Sequence, residues 1–390
     1  MKFDTYIQRL CVGDTPGEQF TPSTHRSVVT RARDIDALGE KYRSGHDYFY
    51  MRFGNNPTIA HVESLLARLD GMEQSVMFPS GMAAIAAIAF GCLARGMRHA
   101  VIQNQVFDQT ARLFDQLRKW GLLDARFLDP RQIDERWKPP FEGPMLVYLE
   151  SPSNPLLTVV DVKAVVSRVK AIDHNSLVVV DSTVGPPGVQ RLADCGADVI
   201  VHSTTKYLGG HNDLMGGVIS TSNALHAEFA DVRLLFGGVP SVDDAWLLSR
   251  SLKTHSLRIA RMCETAEKLA RCLEQHPAVS DVWYPFAGDL KSVEIARRQM
   301  ARGGALISFA VRGGMDAVRK FCNAVQIIEI ASSLGGTASV IEVPGELDWS
   351  DPKQSTIEGL RTIPGGLIRM SVGLEDADDL ITDINTALPS

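Results

Sequence analysis

Gly196-Ala-Asp-Val-Ile-Val-His-Ser-Thr-Thr-Lys-Tyr-Leu-Gly-Gly-His-Asn-Asp213 is the stretch on which the fold assignment depends. Its apolar run, Val199 to Val201, is typical of a short buried strand, and hydroxyl side chains flank Lys206 directly after it. An amine at the end of a covered strand is partly desolvated, which makes it nucleophilic. The position suits a Schiff base with an aldehyde cofactor, approached closely by the backbone at Gly209 and Gly210. Spacing alone leaves a solvated surface lysine as the alternative.

Two further segments supply groups that complement such an amine. Leu177-Val-Val-Val-Asp-Ser-Thr183 is an apolar run that ends at Asp181, which is the pattern of a central parallel strand with a carboxylate at its carboxyl end. Ser80-Gly-Met82 opens an Ala-rich helical run from Ala83 to Leu93, whose free amides and dipole favour a bound anion. An amine, a carboxylate and a phosphate-binding helix end are what a pyridoxal 5'-phosphate (PLP) site needs. Asp181 as a simple helix cap is the alternative.

Six motifs follow one another from about residue 10 to the C-terminus. They are Tyr50-Met-Arg52 before Asn56-Pro-Thr58, Ser80-Gly-Met82, Glu150-Ser-Pro-Ser-Asn-Pro155, Ser203-Thr-Thr-Lys-Tyr-Leu-Gly-Gly-His211, Ser333-Leu-Gly-Gly336 and Leu367-Ile-Arg-Met-Ser-Val-Gly373. Together they resemble the Cys/Met-metabolism family of fold type I PLP enzymes. That family contains cystathionine γ-synthase, cystathionine β- and γ-lyases, methionine γ-lyase and the O-acylhomoserine sulfhydrylases.

The resemblance implies a role for each matched residue. Lys206 would form the Schiff base and then act as general base at the substrate's Cα, while Asp181 would keep the pyridine nitrogen protonated. Residues implied to contact the cofactor are Ser80, Gly81, Met82, Phe107, Asn154, Asp181, Thr183, Ser203 and Thr205, with Tyr50 and Arg52 from a neighbouring subunit. Arg369, Ser333 and Asn154 would bind the substrate's α-carboxylate. By spacing alone, Tyr50 and Arg52 are surface residues and Asn154 belongs to a turn.

Phe107-Asp-Gln-Thr110 departs from the family, which has Tyr-Gly-Gly-Thr or similar there. The ring of Phe107 can still stack on the cofactor, but it has no phenol to protonate a leaving group. General acid catalysis is commonly worth about 10² to 10⁴ in rate, so either another group supplies it or the leaving group is a weak base. Asp108 is a candidate for that acid or base. A loop alignment shifted by one residue is the alternative explanation.

Composition excludes several classes of protein. The formal net charge of −6, without a Lys/Arg stripe, argues against nucleic acid as a partner. No apolar run is long enough to span a membrane, and Met1-Lys-Phe-Asp-Thr5 lacks the pattern of an export signal, so a cytoplasmic location is expected. The six cysteines are scattered, which predicts reduced thiols and no metal site.

The hydrophobic pattern predicts an α/β fold of the aspartate aminotransferase type. Residues 1–55 would form an N-terminal arm that contacts a neighbouring subunit, because their aromatic residues are too many for a solvated tail. Residues 56–242 alternate strands and helices, which predicts a PLP-binding domain with a mostly parallel sheet covered on both faces. Residues 243–390 begin with a long helical run to about Gln275, either two abutting helices or one kinked helix, and continue as a smaller α+β domain.

The predicted function is PLP-dependent elimination or replacement at Cγ, or Cβ, of a small L-amino acid with a thioether, acyloxy or halide leaving group, in a homotetramer built as a dimer of dimers. Val184, where the family's β-lyases usually have Trp, favours Cγ. Two outer positions, Thr337 and Val343, also differ from the family and predict an altered side-chain pocket. Alternatives are a cystathionine γ-lyase, γ-synthase or sulfhydrylase proper, a fold type I aminotransferase, and a PLP-binding paralogue without turnover.

Overall fold

A computed structural model describes residues 1–12, 20–44, 48–53, 56–134, 136–288, 290–344, 357–361, 363–364 and 366–388. The helices in these ranges are α1 (Phe3–Val12), α2 (Ile35–Ser44), α3 (Pro57–Asp70), α4 (Gly81–Ala94), α5 (Asp108–Lys119), α6 (Val162–Ile172), α7 (Asn223–Phe236), α8 (Val242–Leu252), α9 (His255–Gln275), α10 (Leu290–Gln299), α11 (Gly314–Ala324) and α12 (Ala377–Ala387). The strands are β1 (Gln74–Phe78), β2 (His99–Gln103), β3 (Asp124–Leu128), β4 (Met145–Glu150), β5 (Leu177–Asp181), β6 (Val199–Ser203), β7 (Gly217–Thr221), β8 (Val279–Trp283), β9 (Leu306–Val311), β10 (Glu329–Ile330), β11 (Val340–Glu342) and β12 (Leu367–Ser371).

The larger sheet has seven strands in the order β1-β7-β6-β5-β4-β2-β3. Strands β6, β5, β4, β2 and β3 are parallel, whereas β7 runs antiparallel to both of its neighbours. Every residue of β4 and β5 is buried, because α4, α5 and α7 cover one face of the sheet and α6 covers the other. The predicted mostly parallel, doubly covered sheet is confirmed.

The smaller sheet has five strands in the order β10-β11-β12-β9-β8. Its core joins this sheet to α9, α11 and α12 through apolar side chains such as Leu269, Phe321 and Leu380. The predicted long helical run is two helices, α8 and α9, which meet at Lys253 and Thr254. A second, smaller α+β unit is therefore present, as predicted. The boundaries at residues 55/56 and 242/243 stay predictions.

Two helices near the N-terminus were not predicted. Helix α1 buries Ile7, Leu10 and Cys11 in a core shared with α3 and α8, although the sequence around it shows no sustained period. Helix α2 is polar, and the aromatic rings of Tyr42, Phe49 and Phe53 contact one another beside it. Residues 13–19, 45–47 and 54–55 of the predicted arm lie outside the described residues.

Five other elements were not predicted, namely β3, α7, β8, α10 and β11, of which β3 and β8 are edge strands. Strand β3 carries Asp124 and Arg126, and its residue Ala125 alone is fully buried, so its pattern differs from that of a central strand. Over the described part of the chain, no helix combines the length and the apolar character needed to cross a membrane. The six cysteines, all within that part, are free thiols.

Candidate active site

A cavity of about 630 Å³ lies at the carboxyl ends of β4, β5 and β6. Most of the predicted site residues line it, namely Ser80, Gly81, Met82, Phe107, Asp108, Asn154, Asp181, Thr183, Ser203, Thr205, Lys206, Ser333 and Arg369. They come from both sheets and from helix ends far apart in the sequence. The fold therefore brings together the amine, the carboxylate and the helix end that the motifs predicted separately.

Lys206 lies in the turn that follows β6, and its side chain is partly buried. Its Nζ donates a hydrogen bond to Ser333 Oγ at 2.6 Å. Burial and the positive charge of Arg369 lower the pKa of the Lys206 amine, while Glu342 opposes that shift. A larger share of the amine is therefore neutral and nucleophilic than for an exposed lysine.

Asp181 ends β5 and is almost fully buried. Its Oδ1 accepts a hydrogen bond from the Thr183 amide at 2.9 Å, and its Oδ2 accepts one from the Tyr148 hydroxyl at 3.1 Å. Burial raises the pKa of Asp181, whereas Thr183 and the charge of His202 favour its ionised form. The carboxylate is fixed in orientation and faces the cavity with donors behind it.

Helix α4 points its N-terminus at the cavity. Ser80 caps it, accepting a hydrogen bond from the Ala83 amide at 3.1 Å. The first amides of a helix have no partner within the helix, so those of Gly81 and Met82 are available to an anion. A Cβ at Gly81 would lie 3.0 Å from Ser203 Cβ, so glycine permits the close approach of α4 to β6.

These three features fit PLP. The amine of Lys206 suits its aldehyde, the carboxylate of Asp181 suits its ring nitrogen, and the end of α4 with the Ser203 and Thr205 hydroxyls suits its phosphate. No other group is needed to explain why a lysine, an acid and a glycine-opened helix share one cavity.

The glycines after Lys206 have a different role from the one predicted. A Cβ at Gly209 would lie 2.8 Å from the Thr204 carbonyl oxygen, and one at Gly210, where φ is +71°, would lie 1.8 Å from Arg258 Nη1. Neither glycine lines the cavity. They fold the loop tightly against Thr204 and Arg258 rather than bringing its backbone to the cofactor, which corrects the prediction.

Arg369 in β12 has an anionic partner within the chain. Its Nη2 pairs with Glu342 in the neighbouring strand β11 and donates to the Ser333 carbonyl at 3.0 Å, while Nη1 donates to Asn154 Oδ1 at 3.2 Å. The need for such a partner was predicted, but it was assigned to the substrate alone. Ser333 has a φ of +81°, a strained value for a serine, which is typical of functional sites.

The segment predicted to depart from the family pattern lies at the start of α5. Phe107 precedes the helix and is 37% exposed as a residue, and its amide donates to Glu150 Oε2 at 2.8 Å. Asp108 is partly buried and accepts a hydrogen bond from Gln109 Nε2 at 2.7 Å. Burial raises the pKa of Asp108, opposed by Gln109 and by Arg112. Asp108 therefore holds a proton more readily than an exposed aspartate.

Two predicted cofactor residues do not line the cavity. Arg52 is exposed, lies 4.9 Å from the ring centre of Phe53 and donates to the Leu234 carbonyl at 3.4 Å, and Tyr50 lies beside it. The sequence placed both residues at a neighbouring subunit's site, so their distance from this cavity does not contradict the prediction.

Three residues of the site were missed. Tyr148 lies two residues before the end of β4, Glu150 ends that strand, and Glu342 faces Arg369 across β11 and β12. Glu150 accepts from the amides of Phe107 and Asn154, so one carboxyl group anchors two loops of the cavity. The sequence did contain a signal for Glu150. Like Asp181, it is an acid at the end of an otherwise apolar strand.

Comparison with known proteins gives consistent matches over nearly the whole chain. Residues 17–389 match the family model described as Cys/Met metabolism PLP-dependent enzyme. A cystathionine beta-lyase of Lactococcus lactis subsp. cremoris is 38% identical over 88% of this chain and 88% of that protein. An L-methionine gamma-lyase of Pseudomonas deceptionensis is 38% identical over 88% and 86%. The crystal structure of cystathionine gamma-lyase from Lactobacillus plantarum, complexed with L-serine, superposes with a TM-score of 0.87 at 31% identity, covering 99% of this chain and 98% of that one.

The charges around Lys206 predict that substitutions at Arg369 and Glu342 shift the pKa of its amine in opposite directions. In the cofactor-free protein, Arg369→Gln is expected to raise the pKa of the Lys206 amine, because it removes a nearby positive charge. Glu342→Gln is expected to lower that pKa, because it removes a negative one. The rate of acylation of Lys206 by an amine-reactive reagent, followed by peptide mass spectrometry across pH, measures both. Labelling of exposed Lys163 controls for the reagent, and shifts of the same sign in both variants would contradict the prediction.

Proposed function

Because the chain belongs to the Cys/Met-metabolism family of PLP-dependent enzymes, we propose that it catalyses elimination or replacement at Cγ of a small L-amino acid that carries a leaving group. The observation that carries this proposal is the meeting of Lys206, Asp181 and the N-terminus of α4 in one cavity. The acyloxy or halide class of leaving group is favoured over a thioether, since Phe107 has no proton to give and any acid catalysis falls to Asp108 beside it.

PLP, when bound, withdraws electrons from the substrate's Cα and so weakens bonds at that carbon and beyond it. Lys206 would hold the cofactor and, as a free amine, would remove the Cα proton, a role that its lowered pKa favours. Asp181 would hold the ring nitrogen through its carboxylate. Gly81, Met82, Ser203 and Thr205, with Tyr50 and Arg52 of a neighbouring subunit, would hold the phosphate, and Phe107 would stack on the ring.

Arg369 orients the substrate by its α-carboxylate, with Asn154 and Ser333 beside it. The guanidinium already contacts Glu342, Asn154 and the Ser333 carbonyl, so an incoming carboxylate exchanges one anionic partner for another or shares the guanidinium with it. A fixed, buried arginine gives the planar geometry that a carboxylate requires. This selects α-amino acids over amines.

The leaving group is the part of the reaction in which we expect this chain to differ from its family. Asp108 lines the cavity next to Phe107, and its raised pKa lets it carry a proton toward a departing atom. An acyloxy or halide group departs without such help, whereas a thiolate gains from it. Val184, buried and small, leaves the room that a substrate extended to Cγ needs.

The active enzyme is proposed to be a homotetramer, a dimer of dimers with shared sites. Arg52 lies on the exposed surface and away from the cavity of its own chain. Exposed apolar residues, among them Leu235 and Phe236, lie near the Leu234 carbonyl that Arg52 contacts. Such a patch favours subunit contact, through which Tyr50 and Arg52 would reach the neighbouring cavity.

A substrate panel tests the reaction class. Purified protein with PLP is mixed with O-acylhomoserines, a 4-halogenated amino acid and cystathionine, and keto acid or new amino acid is followed by mass spectrometry. Products are expected from the acyloxy or halide substrates, with a loss of at least about 10³-fold in Lys206→Ala, as for removal of a general base. Lys163→Ala is the matched control. Conversion of the cofactor to its amino form by a single amino acid would instead indicate an aminotransferase, and fast cystathionine turnover would refute the weight placed on Phe107.

Asp108→Asn tests the proton source. With a thioether substrate, kcat/KM is expected to fall about 10²-fold, and with a 4-halogenated substrate much less, because only the thiolate needs a proton. Phe107→Tyr in the Asp108→Asn background is expected to recover part of the thioether activity. Asp115→Asn, on the same helix but outside the cavity lining, is the control. Equal losses with both substrates would show that Asp108 does not act on the leaving group.

Mixed oligomers test the shared site. Lys206→Ala and Arg52→Ala are each expected to be inactive, and in a hybrid dimer one site carries both defects while the other carries none. Random reassociation at equal amounts makes half of the dimers hybrid, so activity is expected to return to about a quarter of the wild-type value. Arg31→Ala, another exposed arginine of the N-terminal region, replaces Arg52→Ala in the control mixture. Arg52→Ala that is inactive yet never complements would place Arg52 in its own chain's site.

A further inference from the structure

His202 is a fully buried histidine in β6, outside the lining of the cavity. Its Nε2 lies 2.9 Å from Asp70 Oδ1, and its Nδ1 lies 3.2 Å from the carbonyl oxygen of Ser182. Ser182 follows Asp181 in the chain, and the ring is near enough to the Asp181 carboxyl group for the two charges to interact. Neither the family motifs nor the roles proposed above use this histidine.

Both ring nitrogens of His202 face hydrogen-bond acceptors. A carbonyl oxygen and a carboxylate oxygen only accept, while a neutral imidazole has one N–H and one lone pair. The neutral ring would therefore turn its lone pair toward an oxygen, within a site where an unpaired polar atom is costly. The imidazolium satisfies both acceptors.

Asp70 supplies the opposite charge. It is buried and is the last residue of α3, where the helix dipole also favours a cation. Burial opposes a charged ring, but Asp70 and, more weakly, Asp181 raise the pKa of His202 above its ordinary value. His202 and Asp181 thus each favour the charged form of the other.

His255 provides a contrast within the same chain. It is also fully buried, and its nitrogens lie 2.8 Å and 3.4 Å from the carbonyl oxygens of Pro187 and Tyr207. Its charged neighbours are Arg258 and His202 rather than a carboxylate, and burial with the charge of Arg258 lowers its pKa to about 4. His255 is therefore neutral, and the difference between the two rings is the acid that His202 contacts.

We propose that His202 is a buried imidazolium, fixed by Asp70, which acts as a positioning residue that holds Asp181 in its anionic form. The consequence for the cofactor rests on the proposed function: an anion at Asp181 retains the proton of the PLP ring nitrogen. Tyr148 and Thr183 orient that carboxylate through hydrogen bonds, and His202 supplies positive charge near it.

The protonation state is tested on the cofactor-free wild-type protein, labelled with ¹⁵N-histidine. One-bond N–H couplings are expected on both ring nitrogens of His202 and on a single nitrogen of His255, with His202→Gln and His255→Gln used to assign the signals. Asp70→Asn is expected to leave His202 with one proton. A single proton on His202 in the wild-type protein, or two that persist in Asp70→Asn, would overturn the proposal.

Cofactor binding gives the second measurement. His202→Gln and Asp70→Asn are expected to weaken PLP binding about tenfold, the factor that corresponds to one pKa unit of coupling, while His255→Gln leaves the Kd near the wild-type value. The apparent pKa of the bound cofactor's absorbance is expected to move in the first two variants only. Equal losses in all three would mean general damage to the fold and would overturn the positioning role. Failure of the wild-type protein to bind PLP would instead refute the proposed function and leave the NMR result intact.

Discussion

Two carboxyl groups end neighbouring buried strands, and the rest of the site is arranged around this constraint. Glu150 and Asp181 are paired in register on β4 and β5, and burial raises the pKa of each. Buried acids are stable only with hydrogen-bond donors or positive charge nearby. Glu150 accepts hydrogen bonds from the amides of Phe107 and Asn154. Asp181 accepts them from the Thr183 amide and the Tyr148 hydroxyl. The loops that form the cavity wall are thus the loops that satisfy these acids.

The smaller domain contributes the remaining charges. Arg369 reaches from β12 to Asn154 of the larger domain, and Ser333 accepts the Lys206 hydrogen bond, so the two domains meet at the reacting groups. Arg369 lowers the pKa of Lys206 and Glu342 raises it. Burial lowers the pKa of the amine most, and an ion pair on the other domain adjusts it further. Any movement between the domains would change substrate binding and amine reactivity together.

Family, cofactor and enzyme class were predicted from six motifs and are confirmed. Strands such as β5 and helices such as α4 were predictable because a continuous apolar run or a capped Ala-rich run has one interpretation. Strand β3 was not predictable, because Asp124 and Arg126 interrupt its apolar pattern. Glu342 was missed because its meeting with Arg369 depends on the register of β11 against β12, which pattern alone does not determine.

The side chains of the site differ in how firmly the fold holds their positions in the sequence, depending on whether they lie on the sheet or at a helix end. Lys206, Asp181 and Arg369 lie in or directly after strands, where a shift of backbone would disturb a buried sheet. Phe107 and Asp108 begin α5, whose backbone is held by the bond from the Phe107 amide to Glu150. That bond does not depend on the side chain at position 107, so a tyrosine can become a phenylalanine while the loop keeps its place. The sheet therefore fixes the amine, the acid and the arginine, while the side chain at position 107 can change without moving the backbone of this helix end.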